Sequence, residues 1–254
     1  MAADRSENLN SVGRAVDVLN LFGREAGSLG VTEIAMELGL AKAVVHRILQ
    51  AFKAKGYVDV DPVTRRYRLG PAAMVLGLSY LDRLDVRTVA HDALRQLSAA
   101  TNETATLSVR FGDQRVYVDQ VNPSRDVQMV VQLGRPFPLH AGASSRAFLA
   151  FLPDDEQKQY LSQRLEQVTD DTLVDPAALR AELRVIRAAG FAKSIGESDP
   201  GTVAAAAPVF DRHGDVTAVM SVCGPRERLH DHLDAAGAQL RHMARETSRR
   251  LGHR

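Results

Sequence analysis

Between Ser11 and Phe22 the apolar residues Val12, Ala15, Val16, Leu19 and Phe22 recur at helical spacing, with Ser11 placed as an N-cap and Gly23 just past the end. This spacing predicts a first helix. Thr32 is positioned to cap a second, short helix, whose Ile34, Ala35 and Leu38 make one stripe and which Gly39 stops in the left-handed region. A third helix is expected over 41–55, with Val45, Ile48, Leu49 and Phe52 on one side and Lys42, His46, Arg47 and Lys53 on the other. Two helices joined by a short glycine-containing turn form a helix-turn-helix. After Gly56 the period changes from helical to alternating: YVDV and RRYRL read as strands, and Asp61-Pro62 favours a turn between them. Three helices and a basic hairpin describe a winged helix-turn-helix.

Pro71 opens an expected helix over 71–84 with Met74, Leu78 and Leu81 at helical spacing, and Asp85 caps another carrying Val86, Val89, Ala90, Ala93, Leu94 and Leu97. Beyond Thr104 the pattern is mixed. TATLSVR and RVYVDQV read as strands joined around Phe111-Gly112-Asp113, and DVQMVVQ as a third; GASSRAFLAFL reads as a short buried helix stopped by Pro153. Helices are expected near 155–165 and 176–189. TVAAAAPVF and DVTAVMSVCG then form strands about DRHGD, followed by a long helix over 226–251. Strands at both ends enclosing helices imply an α+β domain with a largely antiparallel sheet. The expected organisation is a winged helix-turn-helix domain at 1–70, linker helices at 71–100 and an α+β domain at 101–254.

The 254 residues suffice for two domains, and 45% apolar with 25% charged residues allows each a core. No apolar run approaches the roughly 20 residues of a membrane span, and the N-terminus lacks the basic and apolar parts of a signal peptide, so a cytoplasmic protein is expected. The net charge of +1 hides a local excess: from Ala41 to Gly70 seven Lys and Arg (Lys42, Arg47, Lys53, Lys55, Arg65, Arg66, Arg68) face two acids (Asp59, Asp61). One cysteine, Cys223, excludes an internal disulfide and a multi-cysteine metal site; with His140 it lacks metal-ligand spacing, so no metal or cofactor is expected. No GxSxG elbow, phosphate loop, HExxH or CxxC is present, and Glu197 and Asp199 lie in a turn-rich segment without an evident acid–base partner, which argues against an enzyme.

A basic amphipathic helix alone is usually a solvated face, and winged helices also contact proteins. The combination with an arginine-rich hairpin favours double-stranded DNA, with the third helix in the major groove. Lys42, Ala43, Val44, His46 and Arg47 would then meet bases or phosphate, and Arg65, Arg66 and Arg68 on the wing would reach phosphate or the minor groove, with Arg47, Arg65 and Arg66 each expected to face solvent in the free protein. A sensor or enzyme regulator whose winged helix contacts protein is the alternative.

RAVDVLNLF, VTEIAMELGL, AKAVVHRILQAFKAKGYV, RYRLG, GRPFPLHAGASSRAFLAF and GESDPGTVAAAAPVFDRHGDVTAVMSVCGP together resemble the isocitrate lyase regulator (IclR) family of bacterial transcription factors across nearly the whole chain. The resemblance implies a GAF-like effector-binding domain, a homodimer or homotetramer, and a regulator, expected to be a repressor, controlled by a small effector of the organic-acid type. It also implies the effector-lining positions Met129, Ala143, Ser144, Ser194, Thr202, Ala204, Ser221 and Cys223. Ser144 and Ser145, near a helix start, suit a carboxylate, whereas on packing grounds alone they are caps and the alanines close-packed sheet. Many family members carry a Ser-Thr pair where this chain has Ala43 and Val44. Contacts to thymine methyl groups would replace those hydroxyls, and the operator sequence does not follow by analogy.

Overall fold

The computed structural model of the chain describes residues 2–24, 27–81 and 85–253. They fall into two compact units, Met1–Arg83 and Leu84–Arg254, divided within the segment expected to link the modules.

The first unit contains α1 (Ala2–Arg24), α2 (Val31–Glu37), α3 (Lys42–Ala54), β1 (Val58–Val60), β2 (Tyr67–Leu69) and α4 (Pro71–Leu81). Residues 82–84 of the expected linker helix lie outside the described residues. Helix α1 begins nine residues before the expected Ser11 cap; no glycine or proline interrupts 2–11, so nothing ends the helix there. The N-cap of α2 is Gly30, not Thr32, and the Glu33 carboxylate reaches back to accept the Gly30 N–H at 3.0 Å. Val18, Phe22, Ile34, Val45, Leu49, Val58 and Tyr67 form the core between helices and hairpin. The hairpin pairs Val58 with Leu69 and Val60 with Tyr67, and Tyr67 also exchanges two 2.8 Å backbone bonds with Leu29, which ties the wing to the chain entering α2. A Cβ at Gly70 would stand 2.4 Å from the Gly56 carbonyl oxygen, so the wing passes into α4 at a position only glycine fits. Helix α4 buries none of its side chains: Met74, Val75, Leu76, Leu78 and Tyr80 are all exposed.

The second unit is α+β, as expected. It comprises α5 (Asp85–Thr101), β3 (Thr104–Phe111), β4 (Gln114–Val121), β5 (Pro136–Pro138), α6 (Ala143–Phe151), α7 (Asp154–Leu161), α8 (Pro176–Ala189), β6 (Ala192–Ile195), β7 (Thr202–Phe210), β8 (Val216–Pro225), α9 (Arg226–Leu229), a 3-10 turn at His230–His232, and α10 (Leu233–Arg250). The strands form one antiparallel sheet in the order β5-β4-β3-β8-β7-β6. Helix α8 has the expected ends: Asp175 accepts the Ala178 N–H at 2.7 Å and Gly190 turns left-handed at φ 75°.

Two expectations fail here, and two short strands form where none was expected. DVQMVVQ is not a strand. Its backbone is held by side chains instead: the Gln120 amide both donates to the Val131 carbonyl and accepts its N–H at 3.1 Å, and the Thr104 hydroxyl donates to the Met129 carbonyl at 2.5 Å. Edge strands form at Pro136–Pro138 and Ala192–Ile195, where the short runs carry no alternation long enough to read. The closing helix is broken, because Pro225 starts one turn that the 3-10 segment ends before α10 begins.

Side chains alternate between the faces of the sheet. Leu107, Met220, Val222 and Ala205 face α5 and α10, while Ala192, Ala204, Ala206 and Val219 pack with the buried face of α6. Register then places every residue on β3, β7 and β8 on one face or the other.

Candidate DNA-reading face and sensor site

On α3, Val45 and Leu49 are fully buried, and Lys42, Ala43, His46 and Arg47 are exposed, with Val44 between the two. One face thus docks the helix and the opposite face is free of the core. Lys42 is the first residue of α3, where the helix dipole disfavours a cation, and no acid in the first turn compensates it. Charge placed against helix stability has a use where a phosphate lies in front of it.

The wing turn is built by Asp61, whose Oδ1 accepts the N–H groups of Val63 and Thr64 at 2.8 Å; these bonds hold its carboxyl below the usual range. Arg65 follows with φ 59°, one of two described non-glycine residues in the left-handed region, and its side chain is exposed, as is that of Arg68. Arg66 departs from the expectation of a free wing cation. Its guanidinium grips Glu33 through both oxygens at 2.9 and 2.8 Å and donates to the Ser28 hydroxyl at 3.0 Å and carbonyl at 2.6 Å. The hydrogen bonds from Arg66, then that from Gly30, hold the Glu33 carboxyl below its ordinary range. Arg66 anchors the wing to α2, while Arg65 and Arg68 remain available.

In the second unit, the register aligns Ser194, Ala204, Cys223 and Thr104 in one row across β6, β7, β8 and β3. The next row runs Ala192, Ala206, Ser221 and Thr106. Both rows face α6, whose first residues are the buried Ala143, Ser144 and Ser145. The sheet therefore brings together Ser194, Ala204, Ser221 and Cys223, beside Ala143 and Ser144. Thr202 shares their face but begins β7, with its hydroxyl bound to the Asp199 carbonyl at 2.7 Å. Met129 is half-buried, and its carbonyl meets Thr104 of the first row.

The sequence reading missed Thr104, Thr106, Ser108 and Arg115, all buried on this face. Thr106 and Ser221 share a hydrogen bond of 2.5 Å, and Arg115 donates through Nε to the Ser145 hydroxyl at 2.8 Å. The alternation of polar residues in TATLSVR was the available signal: Thr104, Thr106 and Ser108 place hydroxyls at successive alternate positions, and with its other face buried the sheet has a polar inner surface. Burial pushes the Cys223 thiol up to about 12, so it is a neutral, weakly polar wall.

Glu197, read from sequence as a carboxylate without a partner, has one. Arg146 of α6 donates to it at 2.6 Å, and Gly142 N–H lies 3.4 Å from its other oxygen. Burial nevertheless raises the Glu197 pKa, outweighing the attraction of Arg146. His140 is buried with both nitrogens engaged: Nε2 donates to the Glu166 carbonyl at 2.7 Å, which leaves Nδ1 to accept from Tyr160 at 2.8 Å. Burial lowers its pKa and pushes the Tyr160 hydroxyl up to about 12. Among the described residues, no three His, Cys, Asp or Glu side chains gather as a metal site.

A helix-turn-helix with an exposed basic face, carried by a chain whose second unit offers a polar sheet face under a helix, defines a transcriptional regulator of the one-chain sensor type. Known proteins agree. Residues 78–249 match the C-terminal domain of the bacterial transcriptional regulator IclR, and residues 11–62 match the IclR helix-turn-helix domain. The HTH-type transcriptional regulator BhcR of Paracoccus denitrificans is 36% identical over 98% of this chain and 89% of its own length. The regulator KipR of Bacillus subtilis is 30% identical over 96% and 97%. The crystal structure of an IclR transcriptional regulator from Alicyclobacillus acidocaldarius superimposes with a TM-score of 0.84 at 32% identity, covering 94% of this chain and 98% of that one. The chain belongs to the IclR family of transcriptional regulators, proteins that bind operator DNA and small-molecule effectors and are not enzymes.

Proposed function

We propose that this chain is a cytoplasmic repressor that holds its operator with α3 and the wing and releases it when a small carboxylate enters the sheet face beneath α6. The observation that carries the reading is the pair of cross-strand rows, in which Ser194, Ala204, Cys223, Thr104, Ser221 and Thr106 stand together with small or hydroxylic side chains facing the start of α6. Small residues leave room for a ligand, and hydroxyls with first-turn amides supply donors for its oxygens. Ala143, Ser144, Thr202 and Met129 complete the proposed lining.

The proposed DNA contacts are Lys42, Ala43, Val44, His46 and Arg47 from α3, and Arg65 and Arg68 from the wing; Arg66 supports the wing. Residues 1–70 form the DNA-binding domain in this reading, 71–100 the linker helices and 101–254 the effector domain. The exposed apolar side chains of α4 support a homodimer or homotetramer, since two half-site contacts on one operator multiply affinity. No helix among the described residues is long and apolar enough to cross a membrane.

Fluorescence anisotropy with DNA from upstream of its own gene tests the reading, together with a thermal-shift screen of carboxylic acids. Binding should be sequence-specific, and Arg47→Ala should weaken it and reduce the salt slope by about 0.9 for each phosphate no longer neutralised. Unchanged affinity and salt dependence in folded Arg47→Ala combined with Arg65→Ala would remove the proposed reading face.

A further inference from the structure

Among the described residues of the second unit the buried charges are matched, with one exception. Glu103 accepts two bonds from Arg228 at 2.6 and 2.9 Å, Arg146 meets Glu197 at 2.6 Å, and Asp119 has His91 at 2.9 Å and Arg87 at 3.9 Å. Arg115 is 1% exposed, yet no carboxylate among the described residues pairs with it. Its Nε donates to Ser145 and its Nη2 to the Tyr117 hydroxyl at 3.1 Å, while Nη1 is buried without an acceptor. Two aromatic faces, Tyr117 at 4.3 Å and Phe137 at 4.8 Å from the guanidinium carbon, offer the cation some compensation. They cannot accept the missing hydrogen bond in the plane of the fork. A buried charge without a counterion is among the most expensive features a protein interior holds, and buried cations are ordinarily paired.

We propose that Arg115 is the anion-reading residue of the effector site, and that the single negative charge of the effector's carboxylate completes there the one buried ion pair the described residues leave open. The inference rests on the reading of this sheet face as the effector site and narrows its ligand. Arg115 binds Ser145, in the first turn of α6, through Nε, so its guanidinium lies beside the end of the helix that offers amides and a favourable dipole to an anion. The planar guanidinium suits a carboxylate, with one oxygen on Nη1 and the other free for a hydroxyl of the rows. One uncompensated positive charge calls for one negative charge: a neutral amide leaves it unpaired, and a dianion replaces one buried imbalance with another.

The probe is sodium formate, the smallest carboxylate, compared with formamide and with sodium chloride at equal ionic strength, in thermal-shift titrations of the full chain and of Arg115→Met. Formate should raise the melting temperature of the parent protein beyond either control. In Arg115→Met its apparent affinity should fall by about tenfold or more, as expected when one charge-assisted hydrogen bond is removed. An equal formate shift in Arg115→Met overturns the assignment, as does a parent response to formate no larger than to formamide. Should Arg115→Met fail to fold, Arg115→Lys decides: weakened formate binding supports the planar fork, and undiminished binding overturns it. Operator binding by the same variants separates the two readings, because Arg115→Met that binds DNA normally and responds to formate normally leaves the regulator intact and removes Arg115 from its site.

Discussion

Replacing Arg146 with Met should destabilise the second unit by about 3–5 kcal/mol at pH 8, because Glu197 then keeps its charge in the interior with no cation beside it. Arg146 is 4% exposed and Glu197 9%, so water cannot take the place of the guanidinium without an opening of the loop. The Gly142 N–H remains, at 3.4 Å, too long to substitute for the 2.6 Å ion pair. The effect carries a pH signature. Burial already raises the Glu197 pKa with Arg146 present, and removing Arg146 raises it further. A carboxylate with a folded pKa above its unfolded value contributes stability below the unfolded pKa, and that contribution is lost as pH rises through the folded one. Arg146→Met should therefore lie nearer the parent protein at pH 5 than at pH 8. Combining it with Glu197→Leu removes both charges, and the double variant should be more stable than Arg146→Met alone. With two units in one chain, a single melting curve mixes two transitions, so urea-dependent hydrogen exchange of peptides from β7 and β8 is the suitable assay. A loss below about 1 kcal/mol at pH 8, or a double variant as unstable as the sum of the singles, would refute the account of a desolvated pair.

Arg65→Gly should hold or raise the melting temperature of the first unit, by relieving about 1 kcal/mol of left-handed backbone strain, while lowering operator affinity in anisotropy; a loss of both would mean that the side chain holds the wing together. Leu76→Glu in the exposed apolar face of α4 should shift the sedimenting species toward the monomer at micromolar concentration, and an unaltered profile would place the self-association surface elsewhere. The Ser144→Ala, Ser221→Ala double variant should bind operator like the parent without ligand and lose its effector response, and an unchanged concentration dependence would move the effector away from these rows.

Helical spacing located α3 within a residue at each end and α8 at both, because each has a strong stripe and definite stops. The start of α1 was not legible, since Ser11 is as good a cap as any serine, and what extends the helix is the lack of a breaker before it. Segment 126–132 misled for a related reason: Val127, Val130 and Val131 look like a strand, but strand formation needs a free neighbouring edge, and here the side chains of Gln120 and Thr104 take up the backbone groups. In the proposed effector site, register aligns four of the residues the family motifs pointed to, Ser194, Ala204, Ser221 and Cys223, as neighbours on one sheet face. Arg115 and Arg146 stayed hidden because an arginine in a short alternating strand or an amphipathic helix reads as exposed. Their burial depends on partners 30 and 51 residues away, Ser145 and Glu197, which no local pattern connects.

The two faces of the sheet are read from the same strands in alternate letters. Residues 104, 106, 221, 223 and 204 look toward α6, and their immediate neighbours 105, 107, 220, 222 and 205 look toward α5 and α10. A change at one set leaves the other set's packing in place, since adjacent side chains in a strand share no neighbours across the sheet. Each position of the Ser194, Ala204, Cys223 and Thr104 row also sits on a different strand, so single-codon changes there alter one wall at a time. Under the proposed reading of this face as the effector site, such a sheet lets descendants of one gene take up new chemical signals while inheriting the same architecture unchanged.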